Sequence, residues 1–74
     1  MHLDLSKIIK RIELIKNLIA LEEEETIAEQ TIKLEEYQSN EKVKELIFLL
    51  KQKSYGQAIT QIEIFINLHQ QMTT

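Results

Sequence analysis

A chain that almost lacks turn-forming residues has few folds open to it. In 74 residues there is no proline and a single glycine, Gly56, and nothing punctuates the backbone between Leu3 and Tyr37. The remainder is rich in Leu, Ile, Glu, Lys and Gln, a composition that favours helix. The fold class expected is all-α: a small antiparallel helical bundle, with well over half of the residues helical and no strand. Such a length makes one domain, 1–74, with a modest core. The end at Met72-Thr-Thr carries no cap or stop signal, so the domain is expected to be part of a larger protein.

Apolar spacing places the helices. Leu5, Ile8, Ile12, Ile15 and Ile19 recur at three and four residues and form one stripe, while Leu14, Leu18 and Leu21 form a second. A helix with two apolar faces belongs between neighbours. The run Glu22-Glu23-Glu24-Glu25 that follows permits two readings. One is a continuous helix from Asp4 to Tyr37, about 50 Å long, which the missing turn residues favour. It gives a three-helix bundle with a long first helix. The other is a break near Glu22, because glutamates suit a helix N-terminus and not a C-terminus. It gives four helices.

Gln38-Ser39-Asn40 is the first clear break, and Ser39 or Asn40 can cap a helix over 40–52. Ser54 can cap a last helix from Tyr55 to Met72, which makes 40–68 an αα-hairpin. Gly56 falls in the first turn of that helix, where a neighbouring helix is expected to pass closely. The stretch Lys53-Ser-Tyr-Gly-Gln-Ala-Ile is similar to the opening of a helix in tetratricopeptide-type repeats, over about a third of one repeat. No second copy at that family's spacing follows, so it is read as helical-hairpin grammar. The expected core is Ile8, Ile12, Ile15, Ile19, Leu46, Ile47, Leu50, Ile59, Ile62 and Phe65.

Composition excludes more functions than it suggests. Without cysteine there are no zinc thiolates and no disulfides. No segment reads as a signal peptide or approaches the ~20 apolar residues of a membrane span, so the expected setting is cytoplasmic. Charge is uneven: residues 1–21 carry +2, residues 22–41 carry −7 and residues 42–74 carry +2. That argues against the continuous basic footprint of a nucleic-acid binder and for self-complementary packing. Glu22, Glu25 and Glu29 share a face at helical spacing and could bind a divalent cation, but the Glu-x-x-His partner motif of carboxylate-bridged metal bundles is absent, so a solvated face is the reading. The basic first helix lacks the aromatic residues of a membrane-surface helix and is read as core. His2 is read as inert. His69 is read as capping the last helix, with a regulatory or phosphotransfer bundle using it as the alternative function. No base with an orienting partner and pocket is evident, so no catalysis, cofactor, metal or small-molecule substrate is expected.

The last helix gives the best hint of function. From Ser54 onward Glu63 is the one charged residue, and Gln57, Thr60, Gln61, Asn67, Gln70 and Gln71 make the polar face. Neutral polar groups desolvate at less cost than charges. With Ile64 and Leu68 on or near that face, and Leu14 and Leu18 on the first helix, the expectation is a protein-protein interaction or oligomerisation module. The partner is a second copy in a homodimer, or another protein, with Leu14, Leu18, Ile64 and Leu68 as contacts.

Overall fold

The computed structural model describes residues 5–72, with side chains through His69. His2 and Asp4, and the side chains of Gln70 and Gln71, lie outside the described residues. Four helices follow one another: α1 (Leu5–Ala20), α2 (Glu24–Leu34), α3 (Glu41–Lys51) and α4 (Tyr55–Met72). There is no strand among the described residues. The architecture is a small all-α bundle.

The long first helix does not form. Glu22 adopts a φ of 58°, and the chain turns there. The amide of Glu23 donates to the carbonyl of Leu18, and that of Glu22 to Ile19, both at 3.1 Å. These bonds close a Schellman motif that satisfies the last carbonyls of α1 without glycine. Glu24 and Glu25 then occupy the first turn of α2, where the helix dipole favours negative charge. Glu22 therefore lies outside α2 and does not share a helical face with Glu25 and Glu29.

The α3–α4 turn repeats this geometry. Lys53 has a φ of 61°, and the amides of Lys53 and Ser54 donate to Leu50 and Leu49 at 3.1 and 3.0 Å. Between the two hairpins runs a 3-10 turn, Glu35–Tyr37. Asn40 then caps α3, its side-chain oxygen accepting from the amides of Lys42 at 2.9 Å and Val43 at 3.3 Å. Such a cap stabilises by about 1 kcal/mol.

α1 packs on α2 and α4, and α3 packs on the same two helices, so the four close a ring of 33 × 23 × 16 Å. The pattern of burial and turns relates the two hairpins by a pseudo-two-fold with an offset of 31 residues. Most buried residues pair at that offset: Ile12 with Val43, Ile15 with Leu46, Ile27 with Ala58, Thr31 with Ile62, and Leu34 with Phe65, while Ile8, Ile47 and Leu50 have no buried equivalent. The left-handed residues Glu22 and Lys53 pair likewise. Exchanging the hairpins swaps the α2–α3 contact with the α1–α4 contact, and both are present.

Among the described residues the core is apolar except for Thr31, whose hydroxyl donates to the Ile27 carbonyl at 2.7 Å. Of the expected core, Ile8, Ile12, Ile15, Leu46, Ile47, Leu50, Ile62 and Phe65 are buried. Ile19 and Ile59 are only half-buried. Ile19 stands in the last turn of α1, beside the bend at Glu22. Ile59 lies off the line of Ala58, Ile62 and Phe65, about 100° round α4 from Ala58. Ile27, Leu34, Val43 and Ala58 complete the core. No neighbouring helix approaches Gly56: a methyl group there would meet nothing within 4 Å.

Candidate protein-interaction surface

A four-helix ring buries one stripe per helix, and apolar side chains beyond those stripes stay outside. Among the described residues seven are exposed: Leu5, Leu14, Leu21, Ile32, Phe48, Ile64 and Leu68. Leu21, Ile32 and Phe48 are the most open, at 69%, 64% and 60%, against about 40% for the other four.

Of the contacts expected from sequence, Leu14, Ile64 and Leu68 are exposed. Leu18 is half-buried and packs against the core. Leu14 borders a cleft with Lys7, Lys10, Arg11 and Tyr37. It sits on the α2 side of α1, where a terminal nitrogen of Arg11 donates to Gln30. Ile64 and Leu68 lie elsewhere. Glu63 points to α1, since it pairs with Lys16 at 3.4 Å. Ile64 and Leu68 follow Glu63 by one and five residues and fall about 100° and 140° round α4 from it. That is the flank away from α1.

The pseudo-two-fold separates what the fold requires from what it merely admits. Its two long faces are the α1–α4 face and the α2–α3 face. On the first, Lys16 pairs with Glu63 and Asn17 is exposed. Thirty-one residues away, the equivalents of Lys16 and Asn17 are Ile47 and Phe48, and Ile32 is the equivalent of Glu63. Equivalent positions thus carry an ion pair and an amide on one side and three apolar residues on the other. The fold accepts polar residues at these positions, so their apolar character on the α2–α3 face is not a demand of folding. Ile47 is covered, whereas Ile32 and Phe48 are not. Sequence spacing alone does not reveal this face, because Ile32 counts as part of a second α1 stripe only if the first helix continues.

Between α2 and the end of α3 runs an open groove of about 420 Å³, lined in part by Ala28, Thr31, Ile32, Leu50, Lys51 and Tyr55. Lys51 also makes an ion pair with Glu35 at the end of α2. Both ion pairs are solvent-exposed and contribute little to stability, about 0–1 kcal/mol each.

His69 stands in the last turn of α4, half-buried, with its ring centroid 4.4 Å from that of Phe65. Among the described residues no group of three or more His, Cys, Asp or Glu is placed to hold a metal ion. No described helix is long and apolar enough to cross a membrane. Compared with known proteins, the chain matches no family model, no curated protein and no solved structure.

Proposed function

We propose that this domain is a non-catalytic, cytoplasmic protein-association module that covers its exposed apolar side chains with another polypeptide. One observation carries the reading. Leu14, Leu21, Ile32, Phe48 and Ile64 are exposed, yet their equivalents in the other hairpin are Glu45, Gln52, Glu63, Asn17 and Lys33. Solvent-facing positions of this fold are compatible with polar side chains, and apolar ones there lower solubility unless a partner buries them. The nearly uncharged outer face of α4 supports the same reading, since Gln57, Thr60 and Asn67 are exposed neutral groups that desolvate at less cost than charges. A homodimer and a complex with a different protein both fall within this function.

The test is site-specific photo-crosslinking of the full protein in its native host. A crosslinking residue placed at Leu21, Ile32 or Phe48 should capture a polypeptide. The same residue at Glu63 or Asn17 should not. Absence of adducts at Leu21, Ile32 and Phe48 would remove the proposal.

A further inference from the structure

We infer that the α2–α3 face is a self-complementary dimer interface whose occupant is a second copy of this chain. This rests on the association reading above and names its partner. The argument is charge placed around two apolar anchors. Ile32 on α2 has Glu29 one turn before it and Glu25 two turns before it, and Glu36 follows in the 3-10 turn, all exposed. Phe48 on α3 has Lys44 and Lys51 one turn to either side, on the flank that faces α2, where Lys51 lines the groove with Ile32. Glu41 and Glu45 fall beyond Phe48, away from α2. The face is thus acidic in its α2 half and basic along the near edge of its α3 half.

A two-fold axis running along this face sets α2 of one copy against α3 of the other. Ile32 then meets the second copy's Phe48, and the reverse contact forms by symmetry. The glutamates round Ile32 meet Lys44 and Lys51 beside the second copy's Phe48, the latter also paired with Glu35 of its own chain, so each half covers its complement. The opposite, α1–α4 face offers no such surface, because Asn17 stands where Phe48 would and Glu63 where Ile32 would. Phe48 is the natural anchor, since aromatic residues are enriched in the buried centres of protein interfaces.

The experiment measures molar mass of the full chain by sedimentation from low to high micromolar concentration. Wild type should be a dimer. Phe48→Asn and Ile32→Glu each install the residue found at the equivalent position of the other hairpin. They should stay folded by far-UV circular dichroism and weaken association by about tenfold or more. Ile64→Glu, on another face, should leave association unchanged. Should either variant fail to fold, a photo-crosslinker at Ile32 in otherwise wild-type chain supplies the same answer as an adduct of twice the chain mass. A wild-type chain that stays monomeric at high micromolar concentration overturns the inference. So does a dimer that ignores both substitutions. If the crosslinker at Ile32 or Phe48 instead captures a polypeptide of different mass, the second copy is refuted while the association function stands. If it captures nothing at any exposed apolar site, both fall.

Discussion

Glu22 and Lys53 hold φ values of 58° and 61°, a region that costs an L-residue with a Cβ roughly 1–2 kcal/mol. Glycine is the usual occupant of this position in a Schellman turn. The one glycine of the chain is elsewhere: Gly56 sits exposed in the first turn of α4 with open space around it. Two predictions come from this inverted placement. Glu22→Gly and Lys53→Gly should each raise stability by about 1 kcal/mol, the strain released less the added freedom of the unfolded chain. Gly56→Ala should also stabilise, by about 0.4–1 kcal/mol, because a helical φ and an empty surrounding accept the methyl group. Urea unfolding of the three variants checks both. A loss of stability in Glu22→Gly or Lys53→Gly would mean that the side chain makes contacts worth more than the strain. A loss in Gly56→Ala would mean that something does approach it.

At the scale of the elements, each helix is held by the stripe it buries. Ile62 has no exposed surface and lies among residues from three other helices, whereas Ile59, three residues before it on the same helix, is half-buried. Ile62→Ala should destabilise by about 2–5 kcal/mol, enough to unfold much of the population of a domain this small. Ile59→Ala should cost distinctly less. Thermal melts followed by circular dichroism distinguish the two, and equal losses would show that the packed face of α4 is misassigned. The stripes of α1, α3 and α4 are legible in the sequence from their spacing, and the Asn40 cap from its residue type. The break at Glu22 is the element-scale feature that residue types conceal, since a glutamate takes the position where glycine would announce a turn. A phase signal is nevertheless present. Carried along one continuous helix, Ile27, Thr31 and Leu34 fall about 100° from the stripe of Ile8, Ile12 and Ile15. A single straight helix could not aim both sets at one core. The dipole argument points the same way, because four glutamates belong at the start of α2 and not within the end of α1. The exposed face of Ile32 and Phe48 was hidden for a related reason: Ile32 changes its face when the helix breaks, and the equivalence of the hairpins is a matter of burial. Across the offset of 31 residues almost no residue type is repeated.

For the whole molecule, the pseudo-two-fold means that the core belongs to neither hairpin. Ile12 and Ile15 of α1 lie in one cluster with Val43 and Leu46 of α3, and Ile27 and Leu34 of α2 with Ala58 and Phe65 of α4. A lone hairpin would leave one side of its stripe in water, and isolated helices of 11–18 residues are marginal in water. The fragments 1–37 and 38–74, divided after the 3-10 turn, should therefore each show weak helical signal when dilute. Mixed in equal amounts they should regain helicity and a cooperative melt, since every core contact between α2 and α3 and between α1 and α4 can re-form without the connecting peptide. The recovered complex should melt below the intact chain, and its midpoint should rise with concentration because assembly has become bimolecular. Circular dichroism of the separate and mixed fragments decides the matter. Full helicity with a cooperative melt in dilute 1–37 alone would show that the first hairpin is an autonomous unit, and that the shared core is not what holds the bundle together.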